Sequence, residues 1–299
     1  MKVVSSILLL FVLDKAHAFG VKEPVSALLQ THTSDIARLK QETQDVIGST
    51  DMGSAPYNND IFYLRYCLDE KGTAMSLQDN LAWRRGEGKH ICEAAVSAFE
   101  KATAGGKWDN DPVRDGAPNA ALINKHITPS TSLTTSSSQG DLVYSVRAGL
   151  IDDKALMASL DSVDVLVDFF LYCKEINALV ANDRSLDKDK MLYVITVNDL
   201  TGLPLIGGDA TFRQALSAAS TQANLLYPSM NGPTLLLNLP RVVSAIVKLF
   251  TPLFPKEVQA RLKFERGPLK NVEELMDITY GGKDRDAFLK DLDRLCYGK

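Results

Sequence analysis

The feature that most constrains this fold is the alternation of strand and helix patterns between Tyr193 and Phe264. Apolar runs of strand length break into polar or proline-containing turns, and helical segments fill the intervals between them. In order, the predicted elements are a strand over 191–197, a polar turn over 198–202, a helix over 211–226, a strand around Thr234, an apolar helix over 242–249 and a strand over 261–265. Strands joined by helices predict a mainly parallel sheet covered by helices, with right-handed crossovers.

The chain ahead of this unit divides into two regions of different character. Residues 24–107 have helical spacing throughout, beginning with a loosely periodic helix over 26–47, and no strand pattern interrupts them. Asn59 or Asp60 can cap one of the later helices, and Ser76 or Asp79 another. Residues 107–140 have turn and loop composition, including the Ser/Thr-rich run 130–138. The apolar segment 120–127 within them fits either an edge strand or a helix.

After residue 140 the α/β pattern begins with a strand over 142–147, a helix capped by Asp152 or Asp153, and a long helix over 161–180 that is apolar on most sides. An amphipathic helix over 284–295 closes the chain. We therefore predict the following domains: a signal peptide over 1–18, a helical N-terminal lobe over 19–106, a loop or linker over 107–140, and an α/β domain with its C-terminal helix over 141–299.

The N-terminus has the layout of a secretory leader. A basic start at Lys2 precedes an apolar stretch over 3–13 and the small residues of Ala16-His17-Ala18, where a signal peptidase would cut. A simple N-terminal helix is the alternative. The apolar stretch is too short to span a bilayer. Phe19 directly after the cut resembles the bipartite leader of algae with secondary plastids, so a plastid and residence along the secretory route both stand as expected locations.

Composition excludes several functions. Apolar residues make up 45% and charged residues 23% of the chain, which is typical of a globular protein, and the formal net charge is −4. With no Lys/Arg run, the chain gives no indication of a nucleic-acid partner. The four cysteines lack the close spacing of a zinc or dithiol site, so they predict buried free thiols or one disulfide.

Motifs for catalysis are missing from the sequence. No nucleophile elbow, Gly-x-Gly-x-x-Gly loop or Walker sequence follows a strand, and no histidine lies within helical reach of a second metal ligand. Asp199 ends a strand, where catalytic carboxylates often lie, but the stretch 198–202 is also typical of a polar turn. We therefore expect a protein that is not an enzyme, with no catalytic residue, no metal and no cofactor.

The segment 241–254 is unusual because its polar residues form one narrow stripe at spacings of three, four and three. Apolar side chains occupy the rest of the helix circumference, which exceeds the usual apolar face of a surface helix. One interpretation is a crossover helix wedged between the sheet and other helices. The other is a lid that faces a lipid-filled cavity on one side and a membrane surface on the other.

Several stretches at these positions together resemble the CRAL-TRIO domain, the lipid-binding fold of phosphatidylinositol-, tocopherol- and retinal-binding transfer proteins. The matching stretches are Val143-Tyr144, 149–152, 197–202, 222–228 with its Tyr227-Pro228, 237–240, 251–254 and Arg261-Leu262, with 63–66 and 81–85 similar to the family's helical extension. The resemblance implies an α/β fold in which the helical lobe precedes a mixed, mainly parallel sheet flanked by helices that enclose an apolar cavity. The family's gating helix falls on 242–253.

The resemblance also implies a polar headgroup site. Phosphoinositide-binding members use a Glu after Tyr-Pro, a Thr and a Lys beyond the gate, and an Arg in the helical lobe. Here these positions hold Ser229, Val258, Arg261 and Arg65. Two of the four polar contacts are therefore lost, and a different phospholipid, a sterol-like molecule, a carotenoid or a tocopherol is at least as compatible with the chain as phosphatidylinositol.

We predict that the chain binds a hydrophobic small molecule or phospholipid in a closed cavity gated by 241–254, and transfers or presents it at a transiently bound membrane surface. The candidate lining residues are Tyr144, Tyr172, Val194, Thr196, Val247, Phe250 and Phe254, with Arg65, Ser229 and Arg261 as candidate polar contacts. The alternative is a regulatory interaction module that uses the same fold to bind a protein, without lipid exchange.

Overall fold

The computed structural model describes residues 23–47, 55–56, 58–69, 72, 74–105, 109–128, 132–136, 142–201, 208–237 and 262–265. Over these residues, helices come first and a five-stranded sheet with helices between its strands follows. This arrangement confirms the predicted fold class of a helical part followed by a mixed, mainly parallel sheet. The predicted leader, the helix 241–254 and the C-terminal helix 284–295 lie outside the described residues.

The N-terminal part is helical, but the helix predicted over 26–47 is broken twice. Helices α1 (Val25–Thr31), α2 (Thr33–Glu42) and α3 (Gln44–Ile47) replace it. At the two breaks, Thr33 and Thr43 donate their hydroxyl hydrogens to main-chain carbonyls four residues earlier, at 2.8 Å in each case. Threonine hydroxyls that bond back in this way compete with the helical ladder and bend it.

Helices α4 (Asp60–Cys67) and α5 (Leu77–Arg85) begin where the sequence indicates, and α6 (Lys89–Thr103) follows them. Asn59 Oδ1 accepts a hydrogen bond from the Phe62 amide at 3.0 Å, and Ser76 Oγ accepts one from the Asp79 amide at 3.1 Å. These side chains satisfy amides that the first helical turn leaves without partners. In the tight turn between α5 and α6, a Cβ at Gly88 would lie 2.4 Å from the Trp83 ring, so any larger residue there would force the ring to move.

The segment 107–140 contains more regular structure than its composition predicts. It includes α7 (Asp111–Asp115), α8 (Ala120–Ile123) and strand β1 (Ser132–Ser136). The loop prediction is therefore wrong for residues 132–136, and the segment 120–127 begins as a helix. β1 pairs antiparallel with β2 (Leu142–Arg147). Pairing with a neighbouring strand supplies main-chain hydrogen bonds that Ser/Thr-rich composition does not reveal, and threonine is a favourable strand residue.

Strands β3 (Val194–Asp199), β4 (Asn231–Leu237) and β5 (Leu262–Glu265) extend the sheet in chain order from β2. All three of these further pairs are parallel, so each needs a crossover connection. The β2–β3 crossover contains α9 (Asp153–Ser159) and α10 (Val163–Asp187), and the β3–β4 crossover contains α11 (Ala210–Leu226). Right-handed crossovers that advance in one direction place their helices on one face of the sheet, and α10 packs against α11.

Helix α10 connects the two parts of the molecule. The sequence predicts it over 161–180, but it continues to Asp187 and stops just before Asp189, whose φ of +49° cannot continue a right-handed helix. Its neighbours include α6 and α4 of the helical part as well as α11. The predicted cap of the preceding helix is confirmed, because Asp152 Oδ1 accepts a hydrogen bond from the Ala155 amide at 3.0 Å.

One cluster of buried apolar side chains runs through the helical part, α10, α11 and the start of the sheet. Leu142 and Val194 join this cluster from one face of the sheet, while Ile195 and Val197 are buried on the opposite face. β3 is thus covered on both sides, as expected for a central parallel strand. Among the described residues, no helix is long and apolar enough to cross a membrane.

Candidate functional site

A row of half-buried side chains crosses the middle of the sheet. Tyr144 of β2 pairs with Thr196 of β3, and Thr196 pairs with Thr234 of β4. All three residues are partly exposed, whereas Leu142 and Val194, two positions earlier on the same face, are buried. Central positions of a helix-covered parallel sheet are normally buried. The row is therefore less buried than Leu142 and Val194 on the same face, although Tyr144 packs against the edge of the buried apolar cluster.

The next position of β3 on the same face holds Asn198. It is 4% exposed, and its Nδ2 has no hydrogen-bond partner. Since a buried donor without a partner costs free energy, this amide is a candidate contact for a bound polar group. The neighbouring Asp199 accepts hydrogen bonds from the Thr201 amide at 3.0 Å and from the Thr201 hydroxyl at 2.7 Å. The carboxylate thus makes the polar turn that the sequence favours.

Arg65 of α4 is buried at the junction between the helical part and the sheet, with 2% of its surface exposed. Its Nε donates to Asn182 Oδ1 of α10 at 2.6 Å. One terminal nitrogen donates to the Ser229 carbonyl at 2.6 Å, and the other donates to the Leu192 carbonyl at 2.9 Å. Its hydrogen-bond partners are therefore all neutral oxygens. Burial lowers the pKa of Arg65 to about 10, so the guanidinium remains charged at neutral pH.

Ser229 lies in the turn between α11 and β4 and contributes its main-chain carbonyl to Arg65. Its backbone has a φ of +50°, in the left-handed region that non-glycine residues rarely adopt. The Ser229 hydroxyl is buried and has no hydrogen-bond partner. The structure therefore brings together Arg65 and Ser229, two of the predicted polar contacts, but through the main chain of Ser229 rather than its side chain.

A second buried arginine, Arg84 of α5, forms an ion pair with Glu175 of α10. The Arg84 nitrogen lies 2.5 Å from Glu175 Oε1, and the side chains are 1% and 0% exposed. Tyr227, at the end of α11, donates its hydroxyl hydrogen to Glu175 Oε2 at 2.9 Å. Burial alone would lower the pKa of Arg84, but the negative charge of Glu175, the hydrogen bond to it, and the neighbouring Cys92 and Tyr227 together outweigh burial and raise that pKa. Burial, reinforced by the same charge, raises the pKa of Tyr227.

Further contacts hold this ion pair in place. Arg84 Nε donates to Asn80 Oδ1 at 2.8 Å, and Asn80 Nδ2 donates to the Leu226 carbonyl at 2.7 Å. The Arg84 guanidinium carbon lies 5.5 Å from the centre of the Phe62 ring and 5.7 Å from that of Tyr227, within cation–π distance. Neutral donors and acceptors and two aromatic rings thus surround the ion pair.

Comparison with known proteins identifies the family. A model of the CRAL/TRIO domain matches residues 131–282, just over half of the 299 residues. The chain belongs to the CRAL/TRIO family. The chain is similar to a crystal structure of Sfh5, with 15% sequence identity, a TM-score of 0.40, and coverage of 87% of this chain and 90% of that chain. The search of curated proteins found no match. Membership of the CRAL/TRIO family supports lipid binding of a transfer-protein type.

The lining residues predicted from strand and helix positions near the lid lie in different places in the described part of the structure. Tyr144 and Thr196 lie side by side in the half-buried row, and Val194 lies on the same face at its buried end. Tyr172 lies on α10 instead, 1% exposed, with its hydroxyl donating to the Val113 carbonyl of α7 at 2.7 Å. Four further predicted residues lie outside the described residues: Val247, Phe250, Phe254 and Arg261.

The buried polar residues that surround these arginines were not predicted from the sequence. Glu175 and Asn182, two turns apart on α10, face Arg84 and Arg65 respectively. A signal for them existed, because a long helix that is apolar on most sides has no broad solvent face for its polar residues. Such residues are buried and need partners, and arginines in the helical lobe are obvious candidates. The pairing itself depends on the packing of helices far apart in sequence.

Neither metal nor disulfide chemistry is indicated by the described residues. They contain no group of three or more His, Cys, Asp or Glu side chains that could hold a metal ion. Cys67, Cys92 and Cys173 are free thiols. Burial raises the pKa of Cys173 to about 12, and a thiol with so high a pKa is a poor nucleophile at neutral pH.

Proposed function

We propose that this CRAL/TRIO protein carries a hydrophobic small molecule or phospholipid in a closed apolar cavity, and transfers or presents it at membranes. The observation that carries the proposal is the half-buried row of Tyr144, Thr196 and Thr234, which follows buried positions at the strand starts on the same sheet face. A carrier needs an incompletely covered sheet face of this kind. Each methylene that leaves water for an apolar site gains about 0.8 kcal/mol, so a lipid leaves a bilayer only if it stays covered.

The proposed lid is the segment 241–254. Parallel strands β4 and β5 need a crossover between them, and this segment falls within that crossover. Its sequence is apolar around most of a helix circumference. A lid of that composition covers the cargo while the protein is in water and lies against lipid when the protein is docked.

In this proposal the chain acts as a carrier without turnover, and no residue has a catalytic role. The proposed route to its site of action is the leader 1–18, which directs the chain into the secretory pathway or, through Phe19, on to a plastid.

The first test is organic extraction of protein purified from its own source, followed by lipid analysis. A lipid that co-purifies in a fixed ratio to protein supports the carrier. An empty protein that co-purifies with a tightly bound protein partner favours the regulatory interaction module and contradicts the proposal.

The second test places a large side chain on the half-buried row, which would form the floor of the proposed cavity. We expect Thr196→Trp to abolish retention of the co-purified lipid while the protein stays folded, because the indole would occupy the space above the half-buried row. Leu150→Trp is the matched control, since Leu150 is 58% exposed. A Thr196→Trp protein that keeps its full lipid content would show that the row is not the floor.

Val247→Asp tests the lid in the same assay, and unchanged lipid retention would contradict its assignment.

A further inference from the structure

Arg65 joins the entry points of two neighbouring strands. Leu192 lies two residues before β3, and Ser229 lies two residues before β4. The two terminal nitrogens of one guanidinium donate to the carbonyls of these two residues. The entries are also bonded to each other, because the Val194 amide donates to the Met230 carbonyl at 3.0 Å.

The third nitrogen fixes this pair of entries to α10, through Asn182. Leu192 is held from the same helix, since Ser185 Oγ accepts a hydrogen bond from its amide at 3.0 Å. A planar guanidinium with a rigid fork of donors can hold two carbonyls and an amide oxygen at once. The ammonium of lysine is a point charge on a flexible stem and cannot reproduce that geometry.

The same contacts argue against a role in headgroup binding. All three nitrogens already donate to protein oxygens, and the residue is 2% exposed. A lipid phosphate would therefore have to displace hydrogen bonds that hold the strand entries in place. Ser229 offers no carboxylate beside the guanidinium, and its contribution is a main-chain carbonyl.

We infer that Arg65 is a positioning residue, which clamps the entries of β3 and β4 to α10 and sets the half-buried row, and that it is not a contact for a lipid headgroup. The inference rests on the proposed function only where its test measures lipid binding. The ligand is therefore one that the protein binds without recognition of a phosphate by Arg65. Binding of phosphatidylinositol and of a neutral sterol should then respond equally when Arg65 is changed.

The test compares wild type, Arg65→Lys and Ser229→Gly in the full chain. Fluorescent phosphatidylinositol, fluorescent phosphatidylcholine and a fluorescent sterol are offered from phosphatidylcholine vesicles, and retention is measured for each probe. We expect Arg65→Lys to reduce retention of every probe that wild type binds by the same factor, about tenfold for a loss near 1.4 kcal/mol. Ser229→Gly should retain every probe, because the main-chain carbonyl remains. Selective loss of phosphatidylinositol in Arg65→Lys would overturn the inference, and so would loss of any probe in Ser229→Gly.

Hydrogen exchange gives a readout that does not need a ligand. We expect the amides of Leu192, Val194 and Asn231 to exchange faster in Arg65→Lys, while the amides of α6 keep their wild-type rates. Equal acceleration at both places would indicate a general loss of stability and would overturn the clamp. If wild type retains no probe and carries no lipid, the proposed function fails, and the exchange result still decides the inference.

Discussion

The two buried arginines of the helical part have different kinds of hydrogen-bond partner for their buried charge. Arg84 lies against a carboxylate, and the pairing raises its pKa, while the partners of Arg65 are neutral oxygens and burial lowers its pKa to about 10. Arg65 bonds α10 and the turn between α11 and β4, and Arg84 bonds α10 and, through Asn80, the end of α11. Removing Arg84 therefore leaves a buried acid without its ion pair, whereas removing Arg65 leaves only neutral acceptors without a donor.

The largest effect should follow from breaking the ion pair on one side. We expect Arg84→Met to lower the free energy of unfolding by about 3–5 kcal/mol, since Glu175 would remain buried without its cation. Urea denaturation at neutral pH measures this loss. The double variant Arg84→Met/Glu175→Leu should recover part of it, because no buried charge remains. A double variant as unstable as the sum of the two single ones would show that the residues are not coupled.

A smaller effect is expected at the neutral site. Arg65→Met should cost about 1–3 kcal/mol in the same denaturation experiment. Three oxygens lose a charged donor, but the molecule no longer has to bury an unpaired cation. A cost above that of Arg84→Met would contradict the distinction between the two sites.

Tyr227→Phe measures what the hydrogen bond from Tyr227 contributes to the ion pair. The change removes the hydrogen bond to Glu175 Oε2 and keeps the ring that faces Arg84. We expect a loss of about 1.5–3 kcal/mol, the usual range for a hydrogen bond to a charged group, measured by urea denaturation. A neutral result would mean that the hydroxyl contributes no net stability at this position.

Alkaline pH should reduce the difference between wild type and Tyr227→Phe. The pKa of Tyr227 is raised in the folded protein, so the neutral phenol is favoured there, whereas the unfolded chain releases the proton near pH 10. The stabilising contribution is therefore fully present below about pH 10 and is lost as pH rises further, by about 1.4 kcal/mol per pH unit. Unfolding midpoints from pH 8 upward would test this, and parallel curves for the two proteins would contradict it.

The smallest effect is expected at an exposed pair between the same two parts of the molecule. His90 Nε2 of α6 lies 2.9 Å from Asp168 Oδ2 of α10, and the histidine side chain is 56% exposed. Exposed pairs contribute little because water and salt screen them. His90→Ala should change the free energy of unfolding by no more than about 0.5 kcal/mol, and a larger loss would show that surface contacts help to hold the two parts together.

Local features of the fold could be predicted from the sequence, and long-range contacts could not. The caps Asn59, Ser76 and Asp152 and the turn at Asp199 depend on residues two or three positions apart, and the structure confirms them. β1 was missed because its pairing, not its Ser/Thr composition, makes it a strand.

The candidate site divides in the same way. Tyr144 and Thr196 followed from the strand patterns and the family resemblance, and their pairing register brings them together. The buried polar contacts did not follow from either source, because Arg65 and Arg84 find their partners only when α4 and α5 pack on α10. The predicted lid and the residues it contributes remain predictions, as they lie outside the described residues.

The spacing of the Arg65 contacts has a consequence for synthesis of the chain. Its partners lie 117, 127 and 164 residues later in the sequence. A ribosome adds residues at roughly 5–20 per second, so α4 emerges many seconds before the carbonyl of Ser229 exists. During that interval the guanidinium stays hydrated, and the N-terminal helices cannot complete their native core. The N-terminal helices therefore cannot form their last native contact until Ser229 has been synthesised. A chaperone can shield them during that interval.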